Sequence, residues 1–380
     1  MTQPVYDVAI VGLGAMGSSC IFELSRRRQR VVGFDTFAPP HTRGSSHGET
    51  RIIREAYFED PAYVPLVQRA YDLWSELELL AGRRLLIKTG GLMLGRPDSS
   101  VVCGASASAK RYHLAHDVLS AAELRRFYPA FQLPDSFVGV SEPRAGVLFP
   151  EACIDSYLSL AASHGATFLF NEPILEWGVR ADSVWLRTVN QRYEAGVVVF
   201  CCGPWINTLV DLPLVLQVER NVLHWFEPQS RSSLFQVGAL PVFLLEDDSG
   251  RVGYGIPDLP GAGRGVKVAR HHFGEATTAD GVKRHVAGRE IADMDSWVKE
   301  YLPDLGSGWQ RATVCLYTNT PDHHFLIDRH PDSERVWIVS PCSGHGFKFA
   351  SVIGEVMADV LVKGSTDFDI RRFGWGRGLE

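Results

Sequence analysis

One segment near the start limits the possible folds more than any other: YDVAIVGLGAMGSSCIFELSRRRQRVVGFD, residues 6–35. Tyr6 to Val11 is a short apolar run, Ala15 to Arg27 carries a helical period, and Val31 to Phe34 is apolar again and ends at Asp35. This predicts strand, turn, helix, strand. Gly12, Gly14 and Gly17 place G-x-G-x-x-G in the turn. The first glycine permits the turn and the second lets backbone approach a pyrophosphate. The third lets helix and strand pack closely, and the helix N-terminus faces the phosphate charge. Asp35 stands at a strand end, where a carboxylate can accept both ribose hydroxyls. A ligand-free glycine turn would show the same three glycines. The strand, helix and acid placed around them favour a dinucleotide, without separating NAD from FAD.

Similar segments recur. A second α/β run starts near GVLFPEACIDSYLSLAASHGATFLF and ends at AGVVVFCCGPWINTL; a third, VWIVSPCSGHGFKFASVIGEVMADVLVKG, reads strand, glycine turn, helix. Between them, from Leu216 to about Val314, strands alternate around a helix near EIADMDSWVKEYL, and the stretch after Gly95 reads as polar loop and short helix. An α/β fold follows, with a discontinuous Rossmann-like domain (1–90, 143–215 and 315–380) interleaved with a β-rich, mixed-sheet domain (91–142 and 216–314).

With a net charge of −6 and no long basic block, the 380-residue chain does not read as a nucleic-acid binder. No apolar run approaches the roughly 20 residues of a membrane helix, and the N-terminus lacks the pattern of a signal peptide. Seven scattered cysteines without a C-x-x-C pair fit neither a disulfide framework nor a zinc site, so a reducing cytoplasm is expected.

Several smaller motifs carry charge. His47, Arg51 and Arg54 follow the ribose-binding strand in GSSHGETRIIRE, and on a helical turn the two arginines would share a solvated basic face. Lys267 alternates with Val266 and Val268, which read locally is an exposed lysine on a strand. The pairs His271–His272 and His323–His324 suggest metal, but no carboxylate or cysteine completes a ligand set. Gly344 and Gly346 open the last helix, and Lys348 in its first turn opposes the helix dipole, a local rule broken where an anion could bind. In TVCLYTNTPDHHFLID, Cys315 stands two residues before Tyr317; packing, metal binding, nucleophilic catalysis and covalent tethering are the candidate roles of its thiol.

Taken in order, GLGAMG, GSSHGETRIIR, KVARHHFG, CLYTNTPDHHFLID and SGHGFKF resemble the monomeric sarcosine oxidase and N-methyltryptophan oxidase family over essentially the whole chain. The resemblance implies bound FAD, oxidation of the secondary amine of an N-alkyl amino acid, and dioxygen as electron acceptor, giving hydrogen peroxide. Cyclic imino acids such as pipecolate or proline, N-methyltryptophan and sugar-amine adducts are the alternative substrates on the same scaffold.

By the same matching Cys315 is the covalent flavin tether, with Cys342 the rival thiol. Arg54 and Lys348 clamp the substrate carboxylate, and Lys267 promotes oxygen reduction. Arg51 faces the other side of the flavin ring; His47, Tyr254, His271 and Tyr317 fall at pocket or flavin-contact positions. Pro341, Cys342 and Arg270 depart from the family pattern and are expected at the substrate pocket. The family expectation is a monomer.

Overall fold

The structure, a computed structural model, describes residues 6–260, 263–340 and 342–377. The opening motif folds as strand Tyr6–Val11, helix Ala15–Arg26 and strand Val31–Asp35. Tyr6–Val11 lies parallel between Val31–Asp35 and Arg192–Phe200. Neighbours on both edges and cover on both faces bury every side chain from Val8 onward, which is why this strand reads as an unbroken apolar run.

Thr167–Phe170 and Ser333–Ser340 extend the sheet in parallel. Three antiparallel strands, Glu176–Val179, Val184–Arg187 and Leu326–His330, complete eight. One sheet is thus assembled from the start, middle and end of the chain, as the segment pattern predicts. Helix Ala15–Arg26 is buried from Ala15 through Ser25, packed against helices Ala350–Lys363 and Pro150–Ser163.

A second sheet has nine strands, with the long strand Gln217–Phe226 toward one edge. That strand pairs antiparallel with Val266–His271 and along its whole length with Trp309–Asn319. The expected division at residue 315 therefore falls inside a strand, and by pairing residues 315–319 go with this second sheet. The stretch after Gly95 holds more regular structure than expected: helices Ser100–Arg111 and Ala121–Phe127, and strands Asp117–Ser120 and Val138–Glu142, both in the second sheet.

Side-chain alternation divides the two faces of this sheet. Val266 and Val268 pack with Met294, Trp297, Val298 and Tyr301 of helix Gly288–Tyr301. Arg270 points the same way, over the Trp297 ring and toward Asp247. Lys267 and His271 sit on the opposite face, as do Cys315 and Tyr317 of the neighbouring Trp309–Asn319 strand. Arg51–Ile53 forms a small three-stranded sheet with Leu86–Lys88 and Gly146–Leu148, so Arg51 and Arg54 belong to a strand and its continuation rather than to a helical turn.

Candidate active site

A cavity of about 430 Å³ opens where the parallel strands end. Gly12, Asp35, Glu172, Cys201 and Cys342 line it, each just past the C-terminal end of a strand or at it, the usual ligand-binding edge of such a sheet. The second sheet contributes Leu244, Tyr254, His271, Cys315 and Tyr317.

The glycine turn is closed to side chains. Gly12 has φ of 91°, and a Cβ there would meet the Cys201 carbonyl; one on Gly17 would run into the Gly12 carbonyl oxygen. Gly17 serves this close packing and does not line the cavity, whereas Gly12 and Gly14 do. The Asp35 carboxylate accepts from the Leu13 N–H and the Phe37 N–H, both at 2.8 Å, which fixes it at the strand end. Ser46 Oγ accepts from the Ala15 N–H at 3.2 Å, and the buried Ser45 hydroxyl beside it has no partner among the described residues. A backbone cradle, a fixed carboxylate and a buried hydroxyl without a partner fit the phosphates and ribose of a dinucleotide.

Beyond the loop the surroundings become cationic. Arg51 donates to the Ser45 carbonyl at 2.8 Å and to Cys315 Sγ at 3.4 Å, which brings the thiol to the cavity wall beside a guanidinium. Lys267 is only 2% exposed, which overturns the local expectation of a solvated lysine. Its ammonium donates to the Gly48 carbonyl (3.0 Å), the Thr50 carbonyl (2.6 Å) and Thr50 Oγ1 (3.0 Å). Burial, and then the Arg51 charge, hold it well below the usual lysine range. It stands behind Thr50 and Arg51, which line the cavity where Lys267 does not. His47 is also behind the lining, 1% exposed, and burial with the Arg51 charge pushes it down to about 3, so it is neutral.

Arg54 and Lys348 both line the cavity and both lie over the Tyr57 ring, 4.3 and 5.3 Å from its centroid. Arg54 lies over the Tyr57 and Phe58 rings and donates to both oxygens of Glu59, at 2.7 and 2.6 Å. Burial, the largest influence, would raise Glu59; the surrounding positive charge, Arg54 first, together with the Arg54 hydrogen bonds outweighs it and holds the carboxyl at about 2. Lys348 occupies a 3-10 turn, Phe347–Phe349, two residues ahead of the last helix rather than within its first turn. The only hydrogen bond of its ammonium among the described residues is to the His345 carbonyl, at 2.7 Å. Burial and the Arg54 charge bring it down to about 7.

Gly344, at φ of 77°, lets this turn lie against the rings of Tyr317 and His271, where a Cβ would collide. His271 Nδ1 is 3.4 Å from the Tyr317 hydroxyl. Burial pushes Tyr254 up to about 12, which keeps its phenol protonated. Gly346, the last residue of SGHG, also lines the cavity.

Of the departures from the family pattern, Cys342 lines the cavity, Arg270 lies on the far face of its sheet, and Pro341 falls outside the described residues. Glu59 and His345 are the site residues that sequence reasoning missed. His345 Nδ1 lies 2.5 Å from the Tyr57 hydroxyl, and burial brings the ring down to about 3. Its signal lay in plain view inside SGHG; Glu59, five residues past an arginine in a polar loop, gave none. Among the described residues no group of three or more side chains could hold a metal ion, and no helix is long and apolar enough to cross a membrane.

Residues 7–360 match the DAO family, described as FAD dependent oxidoreductase. The chain is 41% identical to monomeric sarcosine oxidase of Streptomyces avermitilis, covering 98% of this chain and 97% of that one. It is 34% identical to N-methyl-L-tryptophan oxidase of Yersinia pestis, covering 98% and 99%. Among solved structures it superposes on NikD, an unusual amino acid oxidase essential for nikkomycin biosynthesis, with a TM-score of 0.85 at 24% identity, covering 98% of each chain.

Proposed function

The chain belongs to the FAD dependent oxidoreductase family, and from that premise we propose that it oxidises N-methyl amino acids of the sarcosine type with dioxygen. One observation carries the reading: two buried basic groups far apart in sequence, Arg54 and Lys348, line the same cavity and come together over the Tyr57 ring. A carboxylate answers that pair, and an amino acid held by its carboxylate presents its amine toward the middle of the cavity.

Gly12, Gly14, Asp35 and the Ser45–Ser46 loop hold the dinucleotide, and Cys315 is the covalent tether. Bound there, FAD supplies an acceptor for the hydride equivalent lost from the carbon beside nitrogen and a route for those electrons to dioxygen, giving hydrogen peroxide. The amine must bind without its extra proton, because an ammonium has no lone pair to release. Arg51, Arg54 and Lys348 lower the amine pKa by like-charge repulsion and so favour that form. Lys267, dry behind Arg51, adds positive charge on the side where oxygen is reduced, and Arg51 serves the same field from the cavity wall. Tyr254, His271 and Tyr317 shape the remaining wall. The imine product hydrolyses to an aldehyde and the demethylated amino acid. We take the enzyme to be a cytoplasmic monomer.

A panel of N-methyl amino acids assayed for peroxide tests the reading, with N-methyltryptophan, pipecolate, proline and a fructosyl amino acid as the competing arms. Sarcosine-type substrates are expected to give the highest kcat/KM. Turnover of cyclic imino acids or sugar adducts alone would replace the substrate assignment.

A further inference from the structure

His272 and His323, one from each histidine pair of the sequence, serve no purpose in the chemistry above, yet the fold brings them together. His272 follows strand Val266–His271, and His323 lies in the turn after strand Trp309–Asn319. His272 Nε2 and His323 Nδ1 are 3.1 Å apart. The other ring nitrogen of His272 lies 3.4 Å from Glu219 Oε2. Glu219 is in turn fixed by the Asn319 side-chain amide, at 2.6 Å, and the Gly274 N–H, at 2.7 Å. Both histidines have positive φ, 52° at His272 and 59° at His323. Two residues of strained backbone whose side chains meet at one hydrogen bond point to a function for that bond.

The group stands directly behind the cavity wall. The His272 ring packs on His271 with centroids 4.2 Å apart and on Tyr317 at 5.5 Å, and both of those residues line the cavity. The His323 carbonyl is 3.0 Å from His345 Nε2, another lining residue. His323 itself is exposed to solvent.

We propose that Glu219, His272 and His323 form a clasp that positions the His271–Tyr317 wall and holds only while the two imidazoles share at most one extra proton. With both rings neutral, His323 donates to His272 and His272 donates to Glu219. One added proton enters at the exposed nitrogen of His323 and leaves both bonds intact. A second makes the facing nitrogens both donors, so the 3.1 Å bond breaks and two cations repel.

The surrounding charges set where this happens. From strand Gln217–Phe226 only Glu219 faces the pair; Arg220 turns away to Glu290. From strand Val266–His271 His271 faces it, held well below the usual range by burial and then by His272. Strand Trp309–Asn319 presents the neutral Tyr317 and Asn319. From the turn, Asp322 is engaged by Arg377 and Thr320, and His324 by Tyr63. Toward the pair, His345 reaches the His323 carbonyl. Burial and His272 lower His323, against the pull of Glu219 and Asp322.

The inference rests on the proposed oxidase reading, and the experiment separates the two. In the ¹⁵N-histidine-labelled holoenzyme, long-range ¹H–¹⁵N spectra followed against pH read the clasp without turnover. One ring of the pair is expected to keep a neutral pattern to at least one pH unit below an ordinary histidine, and to lose that shift in His323→Gln. Two rings titrating independently near 6.5 would overturn the clasp.

On the kinetic side, KM for the best substrate is expected to rise by up to about tenfold per pH unit as the second proton binds, with kcat little changed. His323→Gln keeps a donor to His272 and cannot be protonated, so its KM should match wild type at high pH and lose that rise. His323→Ala should raise KM at every pH. Equal pH profiles for wild type and His323→Gln would overturn the positioning role. If no amine is turned over, the oxidase reading fails while the spectra still decide the clasp.

Discussion

The glycine turn and the cationic part of the cavity solve the problem of holding an anion in opposite ways. At Gly12, Gly14 and Asp35 the recognising groups are backbone N–H donors and one carboxylate already fixed by two hydrogen bonds. Such a cradle depends on shape, so its signature is a short, local spacing. Elsewhere around the cavity four basic groups, Arg51, Arg54, Lys267 and Lys348, are drawn from strands and a turn spread over nearly 300 positions of sequence, and each is buried or half-buried. There the recognising property is charge kept out of water, which depends on what surrounds each group. The first region is read from the chain; the second exists only once it has folded.

The strongest way to break this comparison is at the residue where the two regions meet. Cys315, beside Arg51 and the Ser45 loop, is expected to keep the flavin on the chain after acid precipitation, and Cys315→Ser should release all of it. Colour still bound covalently to that variant would move the tether elsewhere, with Cys342 as the next thiol to substitute. Next in size, Lys267→Met removes a charge that touches no cavity surface. If charge rather than shape matters there, reoxidation of the reduced enzyme by dioxygen should slow by about 10²–10³-fold while anaerobic amine oxidation persists. Reoxidation at the wild-type rate would reduce Lys267 to a brace for the loop carbonyls of Gly48 and Thr50.

How much of this was legible follows the same divide. The first strand, helix and strand were readable because β-branched apolar runs and a 3.6-residue period are local properties. The discontinuous sheet was readable because its segments repeat that pattern. The boundary at residue 315 could not be read, because one strand, Trp309–Asn319, carries the expected tether motif, assigned to one domain, while pairing in the sheet of the other. Lys267 illustrates the limit most clearly. Its alternation with Val266 and Val268 is correct and places it on the face opposite their packing, but the sequence cannot say that this second face is also covered. Family resemblance, not periodicity, brought Arg54 and Lys348 into one site, and neither revealed that Glu59 already holds Arg54.

That ion pair gives a prediction of intermediate size. Arg54→Ala should raise KM for an amino acid substrate by about 30-fold or more, the usual effect of truncating a buried partner of a charged group, with a smaller effect on kcat. A KM that hardly moved would place the carboxylate elsewhere. The same variant removes a positive neighbour from Lys348, so the lysine should titrate higher than about 7.

The smallest effect is the sharpest test of charge balance, and it needs a probe that does not titrate. Acetate remains ionised above about pH 6 and has no amine, so the pH dependence of its Kd reports on the protein. Lys348 is cationic below about pH 7 and neutral above it. Acetate binding should therefore be flat on the acid side and weaken, by up to about tenfold, as pH rises through that value. Glu59 is a negative neighbour that favours the charged lysine. Glu59→Gln should move the midpoint to lower pH, and at pH 6 it should also free Arg54 and tighten acetate a few-fold. A midpoint unmoved in that variant would mean that Lys348 is not the titrating group, and the cationic part would then owe its grip to Arg54 alone.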